Sequence, residues 1–392
     1  MSLLYVELHL STYNTAMARY LESSTLSVYS DLSMLLAQQE ASRGFGCLQG
    51  VFAEKTVRGR RYLYFQHTDA AGRQRQIYIG PSDSEVARSM RVAYESGRTN
   101  ESSEIQVAIS RLARQFHASG CPTADPAQFK VIARLADSGL FQAGCVLIGT
   151  HAFNALGPSL GVAWGGSGRT SDIDFVSSDT ITMGLPDRPR LDIKSEIDAL
   201  KMGFFPIPSL SLTGPSTSFK AGKTPIQIDF LTPETTGAGH RTVQIPNLGI
   251  HAETLLYLDY VLEGASRLPL IGRSGAVLVN APDPGRFAIH KLITSDVRGP
   301  AFRDKAVKDV QQAREMIEVL LDLHPAILTD AVHALASPGF AGCRPGYIKH
   351  LKGGLSRLEK TAPALVSDIL GRLPLPDDPA HAVILGPRIG TE

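Results

Sequence analysis

The spacing of apolar side chains changes along the chain, and each change predicts a different kind of element. Residues 1 to about 43 have a weak helical pattern, with an apolar stripe at Leu21, Leu26, Tyr29, Leu32 and Leu35. Two runs rich in aromatic and β-branched side chains follow within residues 51–80, and turn-forming residues 69–72 separate them. The pattern therefore predicts N-terminal helix and then a β-hairpin.

The rest of the chain changes from helical to mixed and back to helical patterning. Helices are expected from residue 84 to about 119 and from Asp125 to about Ser138, where an acidic cap precedes a proline. Short apolar runs then predict strands at 145–148, 172–175 and 226–231, with one helix near 193–202. Helical spacing returns at the C-terminal side and predicts helices at 283–295, 303–323, 325–336 and 361–372.

This order of elements predicts an α+β fold, with a mixed sheet flanked by helices. We expect four segments: an N-terminal helical region with a basic β-hairpin (1–140), a central α/β domain (141–282), a C-terminal helical domain (283–375) and a tail (376–392). A length of 392 residues agrees with two or three folded domains.

Composition narrows the function classes. The formal net charge is +1, so any surface that binds a polyanion must be local. The cysteines are widely scattered and form no Cys-x-x-Cys pair, which argues against a zinc site or a disulfide framework; they are Cys47, Cys121, Cys145 and Cys343. We see no signal-peptide pattern and no apolar run of about 18 residues, so we expect a cytoplasmic protein that does not contact a membrane.

The strongest chemical signal is the pair of carboxylates in the predicted strand at 171–175. Because successive side chains of a strand alternate between faces, Asp172 and Asp174 share one face, about 6–7 Å apart. Two neighbouring carboxylates repel each other unless a cation neutralises them, and hard divalent cations prefer oxygen ligands. The alternative interpretation is a solvated strand end or a helix cap.

Two further features belong with this pair. Gly149 and Thr150 follow a buried strand and begin a helix, where glycine permits close approach and free N–H groups attract phosphate. Asp229 lies on a third strand, on the face opposite its apolar neighbours. The order of turn, carboxylate pair and single Asp is moderately specific.

These motifs resemble the nucleotidyltransferase superfamily with the DNA polymerase β-like catalytic domain. The runs Gly149-Thr150-His151-Ala152-Phe153 and Thr170-Ser171-Asp172-Ile173-Asp174-Phe175 are similar to a poorly characterised bacterial subgroup, distantly like toxin-type members. The resemblance covers roughly residues 45–325, and its specific motifs lie at 148–175 and 226–231. It implies a polymerase β-like core in the segment 141–282.

The resemblance also implies residue roles. Asp172, Asp174 and Asp229 would hold two Mg²⁺ ions, with Mn²⁺ as the alternative, and Asp229 would orient or deprotonate an acceptor hydroxyl. Nucleotide-binding residues would be Gly149, Thr150, Arg169, Ser171, Lys291, Lys305 and Lys308. The reaction would be in-line attack on the α-phosphorus of a nucleoside triphosphate such as ATP, with release of pyrophosphate.

The C-terminal cations resemble two elements of toxin-like relatives, a Lys…Arg element and a Lys-Asp-x-x-Asp element. Lys291 with Arg298 or Arg303 matches the first, and Lys308-Asp309 begins the second. Gln312 replaces its second acid, which puts a catalytic base there in doubt. Helical spacing places Lys305, Lys308 and Gln312 on one polar face, which would contact the nucleotide. The alternative is that this face is an ordinary solvated helix surface.

Three other features have both a functional and a structural interpretation. The 51–80 hairpin combines aromatic rings with cations, and this combination would bind nucleic acid. The cations are Arg58, Arg60, Arg61, Arg73 and Arg75. The alternative is that these cations only face solvent. His151 would contact phosphate or base, or be a hydrogen-bonded supporting residue. Trp164 would stack on a base, or pack in the core.

We therefore interpret the sequence as a Mg²⁺-dependent nucleotidyltransferase that transfers an NMP to RNA, with a tRNA 3′ end as the favoured acceptor. The alternatives are a protein hydroxyl, a small molecule such as an aminoglycoside, or a non-catalytic nucleic-acid-binding protein on the same scaffold. An antitoxin or a second copy of the chain is the expected protein partner.

Overall fold

The computed structural model describes residues 18–46, 50–57, 59–68, 74–96, 101–166, 168, 170–177, 191–207, 214–234, 241–336 and 345–371. Its strands are β1 Arg19–Tyr20, β2 Gly50–Val57, β3 Arg60–Thr68, β4 Gln74–Pro81, β5 Val146–Ile148, β6 Val162–Ala163, β7 Asp172–Val176, β8 Phe204–Ile207, β9 Ser218–Ala221, β10 Gln227–Pro233, β11 Thr242–Ile245, β12 Ile250–Leu255, β13 Ser266–Ile271 and β14 Ala276–Ala281. Its α-helices are α1 Ser23–Gly46, α2 Glu85–Ser96, α3 Glu101–Ala118, α4 Pro126–Asp137, α5 Gly149–Ser159, α6 Ile193–Ala199, α7 Leu258–Leu262, α8 Pro284–Val297, α9 Arg303–Leu323, α10 Pro325–Ala336, α11 Pro345–Glu359 and α12 Pro363–Gly371.

A mixed sheet forms the centre of the molecule, in the order β11-β12-β10-β7-β5. Strands β7, β10 and β12 run parallel, whereas β5 and β11 are antiparallel to their neighbours. Strand β9 pairs with the first half of β10 and with β8. Together with the flanking helices, this sheet confirms the predicted α+β fold.

Alternation of side chains explains why β7 and β10 lie at the centre. Ile173 and Phe175 on β7 and Ile228 and Phe230 on β10 are buried on one face of the sheet. The rings of Phe175 and Phe230 stack with centroids 5.7 Å apart. The polar residues between them must therefore lie on the opposite face.

Helix α8 is packed among the C-terminal helices α9, α10 and α11. Helix α11 was not predicted, because Gly353 and Gly354 lie within it and glycine disfavours helix by about 1 kcal/mol. Close packing explains these residues: a Cβ at Gly354 would lie 2.3 Å from the carbonyl oxygen of Leu292 on α8. Tertiary packing has here outweighed local propensity.

The N-terminal region contains a three-stranded antiparallel sheet, β2-β3-β4. Strands β3 and β4 are the two runs of the predicted hairpin, and β2 is an additional strand that the sequence pattern did not indicate. The predicted turn at 69–72 lies outside the described residues. Leu63 and Phe65 are buried on one face of this sheet.

One large apolar core joins the segments predicted as separate domains. Phe153 on α5 stacks with Phe287 on α8, with ring centroids 6.1 Å apart. The boundaries at residues 140, 282 and 375 stay predictions, and the tail from residue 376 lies outside the described residues. Across the part of the chain that the structure describes, no helix combines the length and apolarity that crossing a bilayer requires.

Candidate active site

The three candidate carboxylates meet on two adjacent parallel strands. In the register of β7 and β10, Asp174 is the partner of Asp229, and Asp172 is the partner of Gln227. Neighbouring strands lie about 4.8 Å apart, so Asp229 flanks the pair directly. All these side chains lie on the face opposite the apolar core, as the alternation in the sequence predicts.

Asp172 is held by a cation from α9. Lys305 Nζ lies 2.8 Å from Asp172 Oδ2, and Ser171 Oγ donates to Asp172 Oδ1 at 3.0 Å. Burial alone would raise the pKa of Asp172, but the hydrogen bond and charge of Lys305 outweigh it and lower that pKa. Asp172 is therefore ionised at neutral pH.

The pKa of Asp174 is raised, in contrast to that of Asp172. Although part of this residue remains in contact with solvent, the burial of its carboxyl group raises its pKa to about 7. The charges of Asp229 and then Asp172 add to that increase, and Lys291 opposes it. Asp229 itself accepts hydrogen bonds from Gln227 Nε2 at 2.8 and 3.0 Å. The cluster therefore has an excess of negative charge at its centre.

Gly149 brings the backbone of α5 against this cluster. Its φ is +68°, which L side chains rarely adopt, and a Cβ there would lie 2.5 Å from Asp174 Oδ2. Strand β5 sets the position, because Ile148 is the register partner of Asp174. The helix N-terminus therefore begins beside the carboxylates, where free N–H groups attract anions.

A buried ion cluster links α8 to α9 beside the site. Lys291 Nζ lies 2.7 Å from Asp309 Oδ1, and Arg298 Nε lies 2.5 Å from Asp309 Oδ2. Burial alone would raise the pKa of Asp309, but the charges of Lys291 and Arg298 lower it. Of the two arginines that the sequence left open, Arg298 is the one that contacts Asp309. Burial and the charge of Lys291 lower the pKa of Lys308, which is half-buried.

Gln312 and Lys305 both contact the site from α9, as one shared polar face predicts, and Gln312 does not lie on an ordinary solvated face. It is fully buried, and its Nε2 donates to Thr150 Oγ1 at 3.3 Å. The reason is that α9 packs against α8 on one side and reaches the start of α5 on the other. Gln312 therefore fixes the Thr150 hydroxyl, a role that the sequence did not indicate.

His151 and Trp164 are both buried. His151 is 2% exposed, and no residue that the structure describes forms a hydrogen bond with either ring nitrogen. Burial and then the charge of Lys308 lower its pKa to about 4. Trp164 stacks on Phe153, with centroids 4.4 Å apart, and donates to the Phe153 carbonyl. Its ring is therefore part of the core, which favours the packing interpretation.

The remaining predicted site residues lie elsewhere or cannot be placed. Arg169, Arg58 and Arg73 are outside the described residues, as is the side chain of Arg75. Arg60 and Arg61 lie on β3 of the N-terminal sheet, away from strands β7 and β10. Successive residues of a strand point to opposite faces, and Arg61 forms an ion pair with Glu54 at 3.6 Å.

The three carboxylates are candidate ligands for a metal ion. Within the described ranges, no three His, Cys, Asp or Glu side chains converge in a metal-binding arrangement. Asp172 is instead engaged by Lys305, and Asp229 by Gln227. The donor set nevertheless fits a hard cation. Burial, and then repulsion from Asp229 and Asp172, raises the pKa of Asp174, and such a cation would relieve that repulsion.

Comparison with known proteins gives the family of the chain. No curated protein matches the chain. A crystal structure of an antigenic nucleotidyltransferase-like protein from Paracoccidioides brasiliensis is similar to it at 15% identity and a TM-score of 0.31, covering 65% of this chain and 97% of that one. A likeness of that size carries no argument. A family model described as nucleotidyltransferase matches residues 127–337, more than half of the 392-residue chain. The chain therefore belongs to this nucleotidyltransferase family.

Proposed function

We propose that this nucleotidyltransferase transfers an NMP from a nucleoside triphosphate to a hydroxyl of RNA, with a tRNA 3′ end as the favoured acceptor, and that it requires Mg²⁺. The observation that carries the proposal is the register of β7 and β10, which puts Asp229 beside Asp174 and next to Asp172. Three acidic side chains on one sheet face, beside a glycine at a helix N-terminus, suit binding of a metal–triphosphate complex.

Neutral groups of the chain would contact and position the phosphates, and lysines would neutralise the phosphate charge. The backbone at Gly149 and the hydroxyl of Thr150 would contact the phosphates, and Gln312 would hold that hydroxyl in position. Lys305 and Lys308 line the same side and would neutralise phosphate oxygens. Such positioning and charge neutralisation are the main sources of catalysis in phosphoryl-group chemistry.

Asp172, Asp174 and Asp229 would hold the divalent ions, Mg²⁺ or alternatively Mn²⁺. When bound, these ions would supply positive charge to oxygens of the reacting phosphate. Asp229 would orient the acceptor hydroxyl, since it lies at the edge of the carboxylate cluster and is already oriented by Gln227. The charge of Asp172, which Lys305 maintains in the absence of ligand, keeps it ready to bind a cation.

The RNA acceptor is supported by local charge. Residues 50–81 contain six Lys or Arg and two acidic residues, which is a formal charge of +4 in a chain whose net charge is +1. Cations that neutralise phosphates provide most of the sequence-independent affinity for nucleic acid. A protein or a cationic small molecule as acceptor has no comparable feature in its favour.

The test offers each α-labelled NTP with Mg²⁺ to the purified protein, together with tRNA, total RNA and lysate protein. We expect label in RNA with wild type and none with Asp172→Asn. Asp198→Asn, an exposed residue on α6, is the matched control and should retain activity. Label in protein or in a small molecule would refute the RNA acceptor, and equal labelling by wild type and Asp172→Asn would refute the catalytic role.

We extend the proposal to a cytoplasmic enzyme of the toxin type, whose partner is an antitoxin or a second copy of the chain. Expression of wild type should then slow growth, whereas Asp172→Asn should not. Equal growth with both would remove the toxin part of the proposal. Sedimentation of the purified protein distinguishes monomer from homo-oligomer.

A further inference from the structure

The β2-β3-β4 sheet has two unlike faces. On one face, Leu63 and Phe65 are each 1% exposed, and Arg91 of α2 contacts Glu54 of that face at 2.9 Å. Helix α2 therefore covers this side. Tyr62 and Tyr64 alternate with Leu63 and Phe65 along β3, so the two tyrosines must lie on the opposite side of the sheet.

That opposite side carries a cluster of tyrosines, which we call the tyrosine face: Tyr62, Tyr64 and Tyr78. The ring centroid of Tyr78 lies 5.9 Å from that of Tyr62 and 5.5 Å from that of Tyr64. Tyr78 is 54% exposed, and Val51 and Val57 of β2 are also exposed. This is an aromatic surface of adjacent rings at the centre of a short sheet, where solvent reaches it.

Cations border the tyrosine face. Lys55 Nζ lies 5.3 Å from the centroid of Tyr64, and Lys55 also hydrogen-bonds to Gln76 on β4. Arg60 precedes Tyr62 by two residues and therefore shares its face, whereas Arg61 lies on the helix-covered side with Glu54. The surface thus combines flat rings for stacking, amide groups for hydrogen bonds and cations for phosphate.

We propose that the tyrosine face binds a single-stranded segment of RNA, with unpaired bases stacked on the tyrosines and the backbone beside Lys55 and Arg60. Unpaired bases stack on aromatic side chains regardless of their identity, whereas the bases of a duplex are stacked on one another and inaccessible. Among the described side chains of β2, β3 and β4, this face has two cations, Lys55 and Arg60, and no acidic group, which fits a polyanion better than it fits an apolar protein partner. This inference rests on the proposed function in naming RNA as the acceptor.

Binding is measured with the full-length protein and a fluorescent 12-nucleotide single-stranded RNA, and with the same sequence in a duplex, by anisotropy. We expect tighter binding of the single strand. Replacing one ring, in Tyr78→Ala, should weaken it about 5- to 150-fold, whereas Tyr78→Phe should bind within about 3-fold of wild type because the ring remains. Val107→Ala, at an exposed position on α3, is the matched control and should bind as wild type does.

Salt dependence separates the phosphate contacts from the ring contacts. Arg60→Ala should lower the slope of log affinity against log salt by about 0.7, the value for one phosphate contact to a single strand. Arg111→Ala, which removes an exposed cation on α3 outside this sheet, is the control and should leave the slope unchanged. Tyr78→Ala should weaken binding with the slope unaltered.

The inference fails if wild type does not bind the single strand, if it prefers the duplex, or if Tyr78→Ala binds as wild type does. It also fails if Tyr78→Ala changes only sedimentation, since the face would then be an interface between proteins. These measurements need no nucleotide transfer. If the protein binds the single strand but does not label RNA, only the proposed reaction is refuted. If Tyr78→Ala labels RNA as well as wild type does and binds it with the same affinity, only the role of the tyrosine face is refuted.

Discussion

Asp174→Asn should stabilise the metal-free protein, and the gain should depend on pH. The folded protein raises the pKa of Asp174 from 3.8 to about 7, so it binds the proton more tightly than the unfolded chain does. Ionised Asp174 therefore destabilises the fold fully above pH 7, and this penalty vanishes as the pH falls to about 4. Asparagine removes the charge while it retains the shape of the side chain.

The size of the effect follows from the shift. Three pKa units at about 1.36 kcal/mol each set a ceiling of about 4 kcal/mol on the gain in free energy of unfolding at pH 8. We expect about 1–3 kcal/mol, because the new amide is itself a partly buried polar group that needs hydrogen-bond partners. The same substitution should have almost no effect near pH 4.

The assay is urea unfolding in EDTA at pH 8 and at pH 5, with Asp198→Asn as the exposed control. The reasoning requires a gain at pH 8 that exceeds the gain at pH 5, and no pH-dependent change in the control. It is refuted if Asp174→Asn is less stable than wild type at pH 8, or if its gain is the same at both pH values.

Three further predictions follow from the site. Gly149→Ala should be less stable than Gly203→Ala by about 1–3 kcal/mol in urea, because both have a positive φ but only the first places a methyl against Asp174; equal losses would contradict the close approach. Asp309→Ala leaves the cations of the buried cluster unpaired and should cost about 3–5 kcal/mol, against less than about 1 kcal/mol for Asp198→Ala at an exposed position on α6. Mg²⁺ at 100 times its Kd should stabilise wild type by about 2.7 kcal/mol in thermal unfolding and Asp174→Asn by much less; equal shifts would place the ion elsewhere.

The sequence predicted the parts of the site that depend on local pattern. Alternation on two strands placed Asp172, Asp174 and Asp229 on polar faces, and a glycine after a buried strand marked the start of α5. The match of β10 to β7 in register could only be expected from the family resemblance, since no local signal specifies which strands pair.

The parts that the sequence did not predict depend on contacts between distant residues. Gln312 reaches Thr150 across 162 positions, and Asp309 joins Lys291 on α8 with Arg298 just after that helix, so neither role follows from helical spacing. Helix α11 contains two glycines, which local propensity counts against a helix although packing against α8 requires them. Strand β2 lacks a strong alternating pattern, and only its pairing with β3 defines it.

The pairing of β7 with β10 also bears on how the chain avoids misfolding. If β10 shifted by one residue, Asp229 would turn into the apolar core beside Phe175, and Ile228 would turn out among the carboxylates. A charge buried without a partner is expensive enough to exclude such a state. The alternation that assembles the acidic site therefore also rejects incorrect strand alignments, so a molecule that completes its core has completed the site as well.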